Sequence, residues 1–364
     1  MITDKERKSS IMEIKMNLTQ TPKAKPDWNK LGFGKIFTDH MFVMDWNSEK
    51  GWYDARIEPF GNLSLHPAAT VFHYGAEIFE GLKAYRRPDG EVQLFRPWEN
   101  IKRLNNSAER LSLPQVDEEF TLDALKKFVA LEKDWVPSLP GTSLYLRPFL
   151  FGNDETLGVH TIHNAKFLII ASPVGAYYAE GLNPVKIMIE TEDVRAVRGG
   201  TGYTKCGGNY AASMRAGDRA AAEGYSQVLW LDGVERKYIE EVGAMNVMFL
   251  INDTVVTPKL TGSILPGITR KSCIELLKEM GWKVEERLLS VDELEKAMQD
   301  GTLKEAWGCG TAAVISPIGE LRINGTSFTV ADGGIGKLSQ NLYDTLTSIQ
   351  WGIAPDKHQW TCKV

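Results

Sequence analysis

The sequence predicts an α+β fold, in which hairpin-paired strands and amphipathic helices share one chain of 364 residues. Two observations support this prediction. Apolar runs of strand length are followed by turn pairs such as Asp232-Gly233 and Asn252-Asp253, which favour antiparallel hairpins. Segments with helical spacing occur between them, without the regular strand–helix alternation of a doubly wound parallel sheet.

In the first half of the chain, the patterns predict two helices among strands. The helix at 98–111 carries its apolar residues on one face, and the helix at 121–135 is predicted to begin at a Thr121 cap and to end before Pro137. The predicted strands are residues 37–46, 92–95, 143–151 and 166–171.

The second half is richer in hairpins, and the length suits two domains. Its predicted strands are residues 228–231, 237–242, 247–251 and 255–258, and its predicted helices are residues 211–223, 269–280, 291–299 and 337–351. We expect a loose arm at 1–28, a smaller N-terminal domain at 29–172, an interdomain loop at 173–184 and a larger C-terminal domain at 185–364.

Composition and charge exclude several classes of function. A net charge of -5 gives no basic surface for nucleic acid, and no apolar stretch approaches the roughly 18 residues of a membrane span. The charged start lacks a signal region, so we expect a cytoplasmic protein. No metal site is expected, because the four cysteines form no C-x-x-C pair and the pair His160 and His163 is more typical of a surface loop.

A lysine between two glycine clusters is the most distinctive local feature. Lys205 follows the glycines at 199–202, precedes those at 207–208, and has Tyr210 five residues beyond it. Glycines let the backbone approach a ligand closely, and a lysine held there is a candidate amine for a Schiff base with a carbonyl compound or pyridoxal phosphate. The alternative is a flexible loop with a solvated lysine, which is the commoner case for an arbitrary lysine.

A pyridoxal-phosphate site also needs an acid for the pyridine nitrogen and a cradle for the phosphate. Glu241 is the candidate acid, although Glu240 is adjacent and strand alternation points only one of them inward. Two solvated carboxylates at a hairpin end are the alternative. One cradle candidate is the helix start at 263–270, for which an ordinary helix capped by Thr269 is the alternative. The second candidate is the turn at 308–313.

A grip for a substrate carboxylate is the remaining requirement. Tyr145 and Arg147 share one face of a predicted strand, and arginine pairs with carboxylates bidentately. By themselves they are two ordinary strand residues. The residues alone therefore predict a Schiff-base enzyme and nothing more specific.

Taken in order, these motifs resemble those of branched-chain amino acid aminotransferases, which are pyridoxal-phosphate enzymes of fold type IV. The resemblance extends from about Phe33 to Trp351 and is carried by residues 37–41, 73–84, 143–148, 172–175, 199–210, 241–246, 264–270 and 310–313. It implies a two-domain fold like that of D-amino acid aminotransferase, with a smaller α/β N-terminal domain and a larger C-terminal domain that contains a pseudo-barrel.

The resemblance also implies roles for individual residues. Lys205 would hold the cofactor as a Schiff base, Tyr210 would bond its phenolic oxygen, and Glu241 would face its pyridine nitrogen. The implied phosphate ligands are Arg103, the backbone at Ile268 and Thr269, and Thr311.

The implied substrate pocket separates two carboxylates from an apolar side chain. Tyr145 and the turn at Thr311-Ala312 would bind the α-carboxylate, and Arg147 would receive the second carboxylate of glutamate. The implied apolar walls are Tyr74, Phe79, Val159 and Tyr177, with Phe33 as a further member. In the family, the counterparts of Tyr74 and Val159 come from the partner subunit, which implies a homodimer.

Two positions depart from relatives in the family. Animal relatives have a C-x-x-C redox switch where this chain has Ala313 and Ser316, so no switch is expected, and Cys309 upstream has no near partner. Ala244 stands where some relatives have a threonine that helps to bind the carboxylate, which places more of that binding on Tyr145 and the Thr311 turn.

The implied reaction is reversible, ping-pong amino transfer from L-leucine, L-isoleucine or L-valine to 2-oxoglutarate, which gives the branched 2-oxo acid and L-glutamate. Two related activities are alternatives, namely a D-amino acid transaminase and an aminodeoxychorismate lyase. A non-catalytic binding protein that retains the fold is a third alternative.

Overall fold

Two nine-stranded sheets organise the computed structural model, which describes residues 12–175 and 182–364. The first sheet has the order β1-β3-β2-β8-β7-β5-β6-β18, with β4 paired to β7. Its strands are β1 (Lys15–Met16), β2 (His40–Asn47), β3 (Gly51–Pro59), β4 (Glu77–Phe79), β5 (Leu82–Arg86), β6 (Val92–Phe95), β7 (Ser143–Gly152), β8 (Asn164–Val174) and, from the C-terminus, β18 (Thr361–Lys363).

The second sheet has the order β11-β10-β9-β16-β15-β12-β13-β14, with β17 paired to β16. Its strands are β9 (Val185–Ile189), β10 (Gln227–Leu231), β11 (Ile239–Val242), β12 (Asn246–Ile251), β13 (Thr254–Pro258), β14 (Lys283–Arg287), β15 (Leu303–Gly310), β16 (Val314–Ile323) and β17 (Thr326–Thr329). The β10–β11 and β12–β13 pairs are the antiparallel hairpins that the turn residues predicted. Parallel pairs also occur, as between β9 and β16, so the α+β prediction is confirmed with a mixed sheet.

Helices pack against strands of both sheets. They are α1 (Thr70–Tyr74), α2 (Pro97–Arg110), α3 (Glu118–Leu131), α4 (Gly207–Ala211), α5 (Met214–Ala222), α6 (Ile268–Glu279), α7 (Val291–Gln299) and α8 (Lys337–Gln350), with 3-10 turns at Trp28–Lys30 and Lys133–Trp135. None of the described helices is long and apolar enough to cross a membrane.

Three helix predictions are corrected by local chemistry. Helix α3 begins at Asp117, whose carboxylate accepts from the Phe120 N–H at 2.7 Å, so the predicted Thr121 cap is wrong. Helix α6 follows Gly267, so Thr269 lies inside the first turn and is not the cap. The predicted helix at 211–223 is two helices, because α4 ends before Ser213 and α5 begins after it.

The two sheets share buried side chains. Tyr85 and Phe95 of the first sheet belong to one apolar cluster with Met248 and Trp307 of the second. A shared core of close-packed aromatic residues resists sliding of one layer over the other. The space between the sheets is therefore a defined position for a site.

Candidate active site

A cavity of about 650 Å³ lies where elements of both sheets meet. It collects most of the residues that the sequence and the resemblance singled out. Those that line it are Phe33, Phe79, Arg103, Tyr145, Arg147, Lys205, Tyr210, Glu241, Ala244, Ile268, Thr269, Thr311 and Ala312. Tyr74 and Val159 do not line it, and Tyr177 lies outside the described residues.

Lys205 lies half-buried in this cavity, between a glycine turn and helix α4. Its Nζ lies 2.6 Å from the Tyr210 hydroxyl and 4.7 Å from the centre of the Phe79 ring. Removal of water by the surrounding protein, together with the Arg103 charge, lowers the pKa of Lys205 from its ordinary value of 10.5 to about 7. Near neutral pH the amine is therefore substantially unprotonated and nucleophilic.

Glu241 is buried and ion-paired. Its Oε1 accepts from the Leu265 N–H at 2.7 Å and lies 3.0 Å from the Arg195 guanidinium. Burial raises the pKa of Glu241, and the Arg195 charge opposes that rise. Arg195 also donates to the Gly202 carbonyl at 2.9 Å, so it joins the acid to the glycine turn before Lys205.

Both carboxylates of the Glu240–Glu241 pair are buried, with 4% and 3% of their surface exposed. Alternation holds, because only Glu241 lines the cavity, but the alternative of two solvated carboxylates is wrong. The reason is that β11 is covered on both faces, because the Ser263 hydroxyl donates to Glu240 while Leu265 and Arg195 meet Glu241.

Arg103 extends from α2 into the cavity and is held by a buried acid. Its Nε and Nη2 lie 2.7 Å and 2.8 Å from the two oxygens of Glu80, and Nη1 donates to the Pro266 carbonyl at 3.2 Å. Asn100, one turn earlier on α2, donates to the same carboxylate at 2.8 Å. A bidentate pair of this kind fixes the plane of the guanidinium.

The first turn of α6 lies beside Arg103 along the cavity wall. Its cap, Gly267, has no side chain to satisfy the free N–H groups, which are then available to an anion. Glycine permits a close approach here, because a Cβ on Gly267 would lie 1.9 Å from the Asn246 Oδ1 and would displace that side chain. The position thus combines a close backbone approach with an open helix start.

Arg147 and Tyr145 share a face of β7, as alternation predicted. The Arg147 Nη2 donates to the Tyr145 hydroxyl at 3.1 Å, and its guanidinium lies 4.6 Å from the Phe79 ring centre. Among the described residues, the Arg147 Nε is buried without a hydrogen-bond partner. A carboxylate that enters the cavity would satisfy it.

Sequence reasoning missed the residues that support the lining. Glu80 and the buried Lys83, whose Nζ donates to the Ala312 carbonyl at 2.8 Å, lie within the 73–84 segment of the resemblance, but no role is predicted there for them or for Arg195. Burial lowers the pKa of Lys83 to about 8. Their contacts join positions far apart in the chain, so spacing gives no signal for them.

The cysteine expectation is also corrected. Cys309 does have a near partner, because the buried thiol of Cys273 on α6 interacts with that of Cys309 on β15. The Cys309 thiol and burial raise the pKa of the Cys273 thiol well above its usual value, which makes it a poor nucleophile.

Comparison with known proteins identifies one matching family model and relatives that align with nearly the whole chain. The family model described as amino-transferase class IV matches residues 77–321. Branched-chain-amino-acid aminotransferase 2 of Bacillus subtilis (strain 168) is 56% identical over 351 residues, covering 96% of this chain and 97% of that protein. A probable branched-chain-amino-acid aminotransferase of Staphylococcus aureus (strain N315) is 55% identical and covers 95% of this chain and 97% of its own length.

Solved structures agree in fold. The branched-chain amino acid aminotransferase of Escherichia coli matches with a TM-score of 0.74 at 28% identity, over 89% of this chain and 98% of that one. A second branched-chain amino acid aminotransferase, from T.th. and solved with pyridoxamine 5'-phosphate, matches with a TM-score of 0.74 at 26% identity, over 88% and 97% of the two chains.

Proposed function

Because the chain belongs to the class IV aminotransferase family, we propose that it catalyses amino transfer from branched-chain amino acids with pyridoxal phosphate as its cofactor. The donors are L-leucine, L-isoleucine and L-valine, and the acceptor is 2-oxoglutarate, which becomes L-glutamate. One observation carries the proposal: a lysine with a lowered pKa shares a cavity with a partly unpaired arginine behind an aromatic wall.

The residues of the cavity fit pyridoxal phosphate. An open helix start and Arg103 suit a phosphate, while Glu241 suits a ring nitrogen that must stay protonated. When bound, the cofactor supplies an aldehyde for the lysine amine and a pyridinium ring that withdraws electrons from the substrate Cα. We assign its binding to Arg103, Lys205, Tyr210, Glu241, Ile268, Thr269 and Thr311.

Lys205 is the residue to which we assign proton transfer. Once its amine is free and neutral, Nζ would take the proton from the substrate Cα as a general base and then, as a general acid, deliver it to the cofactor carbon that had carried the aldehyde. A pKa near the working pH is the condition for both roles. Tyr210, hydrogen-bonded to Nζ, orients the amine.

The same pocket has to accept an aliphatic side chain and a carboxylate. Phe79 and Tyr145 offer apolar surface to the first, and the guanidinium of Arg147 lies over both rings, at 4.6 Å and 5.4 Å from their centres. Contact with the ring faces compensates the charge when no carboxylate is present. When 2-oxoglutarate enters, the free Nε and its neighbours become charge-assisted donors.

We further propose a homodimer. Tyr74 and Val159 lie outside the cavity with 44% and 83% of their surface exposed, and the neighbouring Phe72 and Leu157 are 59% and 67% exposed. Such a cluster of large apolar residues is typical of a surface that a partner covers. A cytoplasmic location is proposed from the four free cysteines, which suit a reducing compartment.

An amino-acid specificity assay tests the proposed function. Glutamate formation from 2-oxoglutarate should depend on L-leucine, L-isoleucine or L-valine and should be lost in Lys205→Ala. Transfer from D-alanine without transfer from L-leucine would favour a D-amino acid transaminase, and pyruvate release from aminodeoxychorismate would favour the lyase. A protein that binds no cofactor and turns over none of these compounds would support the non-catalytic alternative.

A further inference from the structure

The backbone around Lys205 is held by helix α2 and strand β4 of the first half of the chain, although Lys205 itself lies in the second half. The Lys205 N–H donates to the Ser107 hydroxyl of α2 at 3.0 Å, and the Lys205 carbonyl accepts from the Phe79 N–H of β4 at 2.9 Å. Two residues later, the Gly207 N–H donates to the Glu77 carboxylate of β4. Three backbone groups within three residues are thus bound across the interface between the sheets.

Helix α2 carries a further pair of contacts to the same loop. Arg110 donates from Nη2 to the Gly199 carbonyl at 3.1 Å and from Nε to the Gly200 carbonyl at 3.3 Å. Arg103, Ser107 and Arg110 follow the i, i+4, i+7 spacing of one helix face. A single rigid helix therefore sets the distance between the phosphate-facing arginine and the backbone of the lysine.

The close contact between Glu77 and the backbone involves Gly207, the second residue after Lys205. A Cβ on Gly207 would lie 2.1 Å from the Glu77 Oε1, so any side chain at this position would displace the carboxylate from the Gly207 N–H. Ser107 is fully buried, and its hydroxyl has no access to water as an alternative partner. Both contacts depend on side chains that do not touch the cavity space itself.

We propose that Ser107 and Glu77 are positioning residues that fix the Lys205 backbone so that its amine meets the substrate Cα at reacting distance. This inference rests on the proposed function, because it takes Lys205 to be the reacting lysine. A fixed backbone matters there, since small misplacements of a reacting group cost up to about 100-fold in rate. The expected signature is a loss in rate with little change in substrate affinity.

Three variants and one control test this. Ser107→Ala and Glu77→Leu remove one acceptor each, whereas Glu77→Gln keeps an oxygen acceptor for the Gly207 N–H. Ser143→Ala is the matched control, because Ser143, on β7, is as fully buried as Ser107 but its hydroxyl has no partner among the described residues. Each full-length variant is measured with and without cofactor.

In single-turnover reactions with L-leucine, Ser107→Ala and Glu77→Leu should lose roughly 10- to 100-fold in rate, with leucine affinity within about threefold of the parent. Glu77→Gln and Ser143→Ala should retain the parental rate. In the cofactor-free protein, hydrogen exchange over 204–208 should accelerate in Ser107→Ala and Glu77→Leu only. If Ser107→Ala does not fold, the Glu77→Leu and Glu77→Gln pair decides.

Parental rates in Ser107→Ala and Glu77→Leu, even with a lower melting temperature, would overturn the proposal, since the contacts would then only stabilise the fold. An equal loss in Ser143→Ala would overturn it too. Failure of the proposed function looks different, because the parent itself would then not react with L-leucine. In that case unchanged exchange over 204–208 still refutes the backbone contacts, and accelerated exchange supports them.

Discussion

The pH dependence of cofactor capture is predicted to report the Lys205 amine directly. Burial and the Arg103 charge lower the pKa of Lys205 from 10.5 to about 7. Only the neutral amine attacks an aldehyde, so at pH 7 about half of the molecules are competent, against about one in 3,000 for an unperturbed lysine. That difference corresponds to about 5 kcal/mol between the two protonation states.

The assay is stopped-flow absorbance of the cofactor-free protein mixed with pyridoxal phosphate, with Lys205→Ala subtracted to remove capture by other lysines. Since the neutral fraction goes from about 0.09 to about 0.91 between pH 6 and pH 8, the rate should rise about tenfold over that interval and then level off. A rate that instead keeps rising about tenfold per pH unit up to pH 10 would refute the lowered pKa and the reasoning from burial.

Three further predictions concern affinity, assembly and stability. Arg147→Met should raise the KM for 2-oxoglutarate by roughly 10- to 100-fold and change that for L-leucine by less than about threefold, because only the dicarboxylate loses charge-assisted bonds; equal losses would contradict this role. Val159→Asp should convert the dimer to monomers in light scattering, whereas Val234→Asp, at a site comparably exposed at 73% but in the second half of the chain, should not. The free energy of unfolding of the cofactor-free protein should rise between pH 7 and about pH 10, with Lys205 contributing up to about 1.4 kcal/mol per unit, because the unfolded lysine binds a proton that the folded one has released; urea titrations of Lys205→Met should lose the rise between pH 7 and pH 8 and keep the part that Lys83 contributes above about pH 8.

The sequence predicted those helices, strands and turns whose limits are set by neighbouring residues, such as caps and turn residues. The strand at Val92–Phe95 and the helix at Val291–Gln299 have the predicted limits, and the Asn252 turn adopts the positive φ that its hairpin needs. Strands such as Leu303–Gly310 and Val314–Ile323 were missed. They are buried on both faces or interrupted by small residues, so they lack the alternation by which half-buried strands are recognised.

The residues of the site likewise fall into those with a local signal in the sequence and those without one. Lys205 and Tyr210 are five residues apart and could be paired from sequence alone. Arg103 gave no signal of its own, because its position depends on Glu80 and on the α6 start more than 160 residues away. The resemblance implies Arg103, whereas the contacts of Ser107 and Glu77 with the backbone at Lys205 and Gly207 join distant parts of the chain and leave no signal in the sequence.

One spectroscopic titration tests the central claim most directly. Purified protein loaded with pyridoxal phosphate is titrated first with L-leucine and then with 2-oxoglutarate, and the cofactor absorbance is followed through both additions. The account predicts complete conversion to the pyridoxamine spectrum by L-leucine and full recovery by 2-oxoglutarate, with neither change in Lys205→Ala. A spectrum that L-leucine leaves unchanged, or one that 2-oxoglutarate does not restore, would contradict it.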